Sequence, residues 1–251
     1  MENLEKVRAI LKCRQREIFN FQIFGGLNFE VSFGLGEVCF KVDKKFNMAS
    51  ENIKNKKILI GVTAGIAIYK ICSLVRLFLK NGAQVKVVMT ENATRLVSPT
   101  TFQALTNSQV YVSMFPPTDP NALDHINLAK WADIFVLAPA TANTIGKIAN
   151  GICDNLLTTI IVALPEKTPL IIAPAMNVNM WENPFVQENI KKLKKRKNLF
   201  IIEPAKGILA EGVVGKGRMV EIEEIFKFVK KFLQKNERRR IITVFKRNKV
   251  L

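Results

Sequence analysis

An α/β fold, a parallel sheet with helices on both faces, is predicted by three observations in this 251-residue sequence. Apolar, β-branched runs without polar alternation recur from Lys56 onward, as expected of strands covered on both sides. Segments with apolar residues at helical spacing separate these runs, and such alternation implies right-handed crossovers in a parallel sheet. The chain is also 48% hydrophobic, enough for the core of one ordinary domain.

The elements follow in order. "KKILIGVTA" predicts the first strand, and "GIAIYKICSLVRLFLKNG" a helix stopped at Gly82. "AQVKVVMT" is the second strand and "WADIFVLAPA" the third, which leads into the helical "TANTIGKIANG". "DNLLTTIIVAL" reads as helix, "TPLIIAPA" as the fourth strand, and "NPFVQENIKKLKKRKN" as an amphipathic helix with an Asn-Pro start. "LFIIEPA" is the fifth strand, and "EIEEIFKFVKKFLQK" closes with a helix. The whole is a Rossmann-like (flavodoxin-like) arrangement, in which ligands sit outside the carboxyl ends of the strands. That rule selects four loops: "TAGIA", "MTENA", "APATANT" and "APAMNVNMW". Residues 51–235 form this domain. Residues 1–50 are an N-terminal extension with one or two short strands in "FNFQIFGGLNFEVSFGLGEVCFKV", and Met48 is a candidate start; residues 236–251 are a basic tail.

The formal charge of +17 is concentrated in "KKLKKRK" and in the last 25 residues, where ten Lys and Arg face one Glu. No nucleic-acid motif accompanies these runs, so a solvated helix face and tail are expected rather than a nucleic-acid partner. No window reaches the ~18–20 apolar residues of a membrane span, and the N-terminus lacks the order of a signal peptide. No membrane partner and a cytoplasmic location are therefore expected. Cys13, Cys39, Cys72 and Cys153 are widely spaced without a CxxC pair, so neither a disulfide framework nor a metal site is expected.

"GVTAGIA" ends a strand and opens a helix, where free N–H groups and the helix dipole favour an anion; tight strand–helix packing is the alternative reading. "APATANTIGKIANG" repeats the arrangement, with Thr141, Asn143 and Thr144 at a helix start where capping alone needs one polar group. His125, the single histidine, lies beside Asp124 near the carboxyl edge, where an acid/base group is useful. "GILAEGVVGKGRMVE" places four glycines near Lys216 and Arg218, which suggests a mobile, positively charged loop able to close over an anionic ligand; a plain Gly-rich hairpin is the alternative.

Six stretches together resemble the flavin-containing cysteine decarboxylases, and among them those that act on phosphopantothenoylcysteine. They are "ILIGVTAGIAIYK", "VKVVMTENAT", "SPTTFQALT", "DHINLAKWADIFVLAPATANTIGKIANGICDNLLT", "PLIIAPAMNVNMWENP" and "GKGRM", spread over about Lys56 to Ile225. The resemblance implies FMN as cofactor, held by Ala64, Gly65, Ile66, Thr90, Thr101, Thr141, Ala142, Asn143 and Thr144. It implies His125 and Asn177 as catalytic residues and a substrate site made by Ala175, Met176, Asn177, Met180, Lys216 and Arg218. The implied reaction turns 4′-phosphopantothenoylcysteine, a small phosphorylated substrate, into 4′-phosphopantetheine and CO2. The implied assembly is a homo-oligomer of trimers or their multiples. Where the family pattern has a cysteine that gives a proton, this chain reads "LAEG", so Glu211 is the expected donor. The sequence ends after "ERRRIITVFKRNKVL", short of a phosphopantothenate–cysteine ligase domain; either the protein is monofunctional with a separately encoded ligase as partner, or a bifunctional chain has been truncated or frameshifted. A peptidyl-cysteine decarboxylase, a flavin prenyltransferase and a non-catalytic flavin-binding regulatory subunit are the alternatives.

Overall fold

The computed structural model describes residues 18–23, 27–33, 38–42, 53–115, 123–210 and 212–233, the first three stretches as backbone only. The chain divides into two units, Met1–Asn52 and Ile53–Leu251. In the first, β1 (Ile18–Ile23), β2 (Leu27–Phe33) and β3 (Val38–Val42) pair antiparallel in that order. One or two strands were expected here; three are present.

The second unit is built on β4 (Lys57–Val62), β5 (Gln84–Met89), β6 (Val110–Tyr111), β7 (Ile134–Ala140), β8 (Leu170–Pro174) and β9 (Leu199–Ile201). They form one sheet in the order β6-β5-β4-β7-β8-β9, with every neighbouring pair parallel. This is the doubly wound order, and the winding reverses between β4 and β7. Only β6 lacks a counterpart in the sequence reading, because two residues carry no detectable period.

Helices follow the strands: α1 (Tyr69–Lys80) after a 3-10 turn at Ile66–Ile68, α2 (Glu91–Thr94), α3 (Pro99–Thr106), α4 (Asp124–Trp131), α5 (Ala142–Ala149) and α6 (Leu156–Ala163). After β8 come α7 (Val178–Glu182) and α8 (Pro184–Lys194), and the last helix, α9, covers 222–233. Between β9 and α9 lies an antiparallel hairpin, β10 (Ala205–Ile208) with β11 (Val214–Arg218).

Side chains alternate between two apolar layers. Ile58, Ile60 and Val62 of β4, with Ile134 and Val136 of β7, join Leu74 and Phe78 of α1, Phe102 of α3 and Val229 of α9. Leu59, Phe135 and Leu137 face the other way, toward Leu128 of α4, Ile145 of α5, Ile160 of α6 and Ile190 of α8. Each such side chain, taken fully out of water, contributes about 1.5–3 kcal/mol. Helix starts are chosen locally: Ser98, Thr141, Asn155, Asn177 and Asn183 each cap a helix with a side-chain oxygen, and Pro99 and Pro184 follow two of them.

Candidate active site

The loops at the carboxyl edge are tied together by short bonds between neighbours. After β5, Thr90 donates its N–H to Val62 O (3.0 Å) at the end of β4. The next residue, Thr63, is 1% exposed; its hydroxyl donates to Pro139 O (2.6 Å) and accepts from Thr141 N–H (3.2 Å). Ala175 N–H then reaches Ala140 O (3.0 Å), and Met176 N–H reaches Gly217 O (3.0 Å). One line of contacts thus crosses the switch point from β5 to the hairpin.

At the switch point, Gly65 N–H turns back to Thr63 O and Ile68 N–H to Gly65 O, which forms the tight turn over Ala64–Ile68. The leading N–H groups of a helix have no acceptor within it. No acidic side chain occupies the first turn of the 3-10 segment, of α1 or of α5, so the local field suits an anion. A Cβ placed on Gly65 would stand 3.4 Å from Pro139 Cγ and 3.7 Å from Thr141 Cγ2, partly filling the gap between the two loops. Thr141 caps α5 weakly, with its Oγ1 3.4 Å from Thr144 N. The buried Thr144 hydroxyl lies 3.3 Å from the same oxygen, while Asn143 is exposed and Ala142 half-buried. Thr144 therefore forms the floor of this loop and Asn143 its outward amide.

The stretch after β8 is held as firmly. Asn177 caps α7, its Oδ1 accepting from Asn179 N–H at 2.7 Å, which fixes the plane of the amide. Ala175 and Met176 are half-buried, Met180 is exposed, and Trp181 is buried beneath them. The hairpin packs on this turn through its glycines. A Cβ on Gly217 would come within 2.3 Å of Met176 O, and one on Gly215 within 2.4 Å of Val178 Cγ2. The stretch expected to be a mobile loop is thus a β-hairpin whose second strand is seated against the Asn177 turn.

Lys216 and Arg218 both have carboxylate partners. Lys216 Nζ lies 2.9 Å from Glu203 Oε2 and 5.7 Å from the centre of the Trp181 ring. Lys194 and then Lys216 hold the Glu203 carboxyl below its ordinary range. Arg218 Nη2 is 3.3 Å from Glu221 Oε1, and that carboxyl is lowered chiefly by Lys70, whose Nζ sits at 2.9 Å.

His125 stands half-buried in the first turn of α4, beside Asp124. Thr101 is exposed on the first turn of α3. These two join the edge through their helices, not through the line of bonds just described. Glu211 lies outside the described residues. Among the described residues no cluster of His, Cys, Asp and Glu could hold a metal ion, and no helix is long and apolar enough to cross a membrane. Thr63, Gly217 and Glu221 were not picked out from sequence. A strand-end threonine looks like any other until its hydroxyl is seen to bridge two loops, and the glycine and glutamate act through partners far away in the chain.

The doubly wound sheet, with the loops after β4, β7 and β8 brought together at its switch point, is the arrangement of nucleotide-binding α/β proteins. The chain belongs to the Flavoprotein family, whose pattern it matches over residues 47–234. It is 49% identical over 179 residues to the coenzyme A biosynthesis bifunctional protein CoaBC of Bacillus subtilis (strain 168), covering 71% of this chain and 43% of that protein. The chain therefore spans less than half the length of that relative. It is 42% identical over 178 residues to the probable phosphopantothenoylcysteine decarboxylase of Streptococcus mutans serotype c, covering 71% of this chain and 99% of that protein. Among solved structures, a mutant PPC decarboxylase complexed with pantothenoylaminoethenethiol is similar with a TM-score of 0.63 and 34% identity, over 72% of this chain and 100% of that one. The FMN-binding protein AtHal3 is similar with a TM-score of 0.61 and 34% identity, over 72% and 98%.

Proposed function

We propose that this protein is an FMN-dependent decarboxylase that converts 4′-phosphopantothenoylcysteine to 4′-phosphopantetheine and CO2. The observation that carries the reading is the bonded edge: it sets the Ala64–Ile66 turn, the Thr141–Thr144 loop and the Asn177 turn side by side. The relatives and solved structures named above support the same chemistry.

The residues present fit FMN. The acid-free turn at Ala64–Ile66 suits its phosphate. The space left by Gly65 beside Pro139 admits close approach, and Thr90, Thr101, Thr141, Ala142 and the outward Asn143 line the remaining edge. Bound FMN supplies the two-electron sink that a cysteine side chain lacks when its carboxylate is lost. The chain does the rest. Asn177 presents its amide NH2, the only donor of that side chain, to the substrate carboxylate, with its plane set by the Asn179 contact. Ala175, Met176 and Met180 provide an apolar wall that limits water beside it. The His125 imidazole takes and returns a proton. The carbon that loses CO2 gains a proton, and Glu211 gives it. Lys216 and Arg218 stay on Glu203 and Glu221 and shape the wall, with their outer faces turned to the substrate's anionic groups.

We also propose a cytoplasmic homo-oligomer, a trimer or a multiple of trimers. Ile66 (67% exposed), Phe115 (74%) and Leu123 (55%) all lie in carboxyl-edge segments, an arrangement suited to a second copy of the chain. Sedimentation velocity checks it: a monomer at micromolar concentration rejects it.

The activity test is anaerobic incubation of the yellow protein with 4′-phosphopantothenoylcysteine. The expected product has lost the mass of CO2 and is saturated. Unchanged substrate overturns the assignment, and an unsaturated thiol as sole product overturns the role of Glu211.

A further inference from the structure

Lys70 and Glu221 take no part in the chemistry above, yet through Arg218 they touch both halves of the site. Lys70 is the second residue of α1, just beyond the Ile66–Ile68 turn. A cation there is disfavoured by the helix dipole, but its Nζ lies 2.9 and 3.2 Å from the two oxygens of Glu221. Glu221 immediately precedes α9 and also holds Arg218, the last residue of β11, at 3.3 Å. The Arg218 Nε is buried with no hydrogen-bond partner, and a Cβ on Gly207 of the facing strand would come within 3.1 Å of it. An unsatisfied buried donor is unfavourable, so its own surroundings do not account for where this guanidinium lies. Glu221 and the seat across Gly207 do. One residue back, Gly217 O accepts the N–H of Met176, the neighbour of Asn177. The other anchor, Glu203, ties the hairpin only to Lys194 of α8.

We infer that Glu221 is a positioning residue that couples the cofactor turn to the substrate turn. The inference rests on the flavin part of the reading above. The route has three steps: Lys70 to Glu221, Glu221 to Arg218, and Gly217 to Met176. When an anion orders the Ala64–Ile68 turn, α1 and Lys70 settle with it, and the shared carboxylate passes that order to the hairpin. Coupling of this kind is reciprocal, so a bound substrate tightens the cofactor turn in return.

Hydrogen–deuterium exchange with and without FMN tests this in the full-length protein. In the wild type, FMN should slow exchange at residues 64–68 and also in the hairpin at 205–218. In Glu221→Gln and in Lys70→Met the first effect should remain and the second should shrink about tenfold. The double variant should be no worse than either single one, since both remove the same link. Hairpin protection that survives in both single variants overturns the inference. Should one variant fail to fold, as judged by its thermal midpoint, the other carries the test. Wild-type protein that takes up no FMN overturns the flavin reading and this inference together. The exchange result needs no turnover, so failure to decarboxylate sinks the substrate assignment alone.

Discussion

Asn177 does two things with one side chain, and they can be separated. Its oxygen caps α7, and an aspartate caps as well, but an aspartate has no donor and brings a negative charge toward the substrate carboxylate. Asn177→Asp should therefore keep the thermal midpoint and lose turnover by about a hundredfold or more, since opposed like charges cost several kcal/mol. Product formation followed by mass spectrometry and a melting curve check the two halves of that expectation. Thr63 is the second residue whose role is distinct. Thr63→Val keeps the shape but strands Pro139 O and Thr141 N–H. Weaker FMN binding by about tenfold is expected, with Thr63→Ser restoring it in a flavin-fluorescence titration. At this scale the sequence was informative wherever chemistry demands an unusual residue. Asn177 stood out because its stretch is rich in methionine and amide side chains, and His125 because it is alone. Thr63 did not stand out, since a buried threonine at a strand end is ordinary until its partners Pro139 and Thr141 are known. Roles for His125 and Glu211 rest on resemblance: His125 is not part of the line of bonds across the edge, and Glu211 lies outside the described residues.

Among the elements, the hairpin is the one whose nature changed. Four glycines near two cations suggested freedom, but two of those glycines, Gly215 and Gly217, are there for close approach to Val178 and Met176. Gly217→Ala places a methyl group 2.3 Å from a backbone oxygen that cannot rotate away. The hairpin must shift, at an expected cost of about 1–3 kcal/mol in urea unfolding, and turnover should fall further than stability because Asn177 moves with Met176. Strands β4, β7 and β8 were legible because each is covered on both faces and reads as an apolar run, and β5 and β9 by their apolar, β-branched residues. The edge strand β6 is too short for that signature. Glycine use in the hairpin was not interpretable from sequence, because the reason for it lies in a turn some forty residues away.

For the molecule as a whole, the charge has a definite layout. Part of the basic excess is used internally: Lys70, Lys194 and Lys216 meet Glu221 and Glu203, and hold those carboxyls below the ordinary range. The sign follows from linkage. A lowered carboxyl contributes stability that is complete above its unfolded value, ~4.3, and is lost as pH falls through the lowered folded value. Hairpin attachment should thus be flat from about pH 6 to 8 and give way only in acid. Lys216 sits over Trp181, so Trp181 fluorescence in a Trp131→Phe background reports it; a transition near neutrality would contradict the assignment.

The line of bonds along the carboxyl edge also bears on how such a protein can be altered. Each loop there is bonded to the next, so a change of length in one is felt by its neighbours, and the loops behave as a single inherited part. The opposite edge is bonded too, through Thr168 to Ala132 O and Asn198 to Thr168 O, but the Glu166–Lys167 tip between α6 and β8 is exposed and lies outside those bonds. Peptide insertions should be absorbed there with flavin binding intact. Transplanting a different specificity onto this sheet would require moving the loops after β4, β7 and β8 together with the hairpin, as one graft.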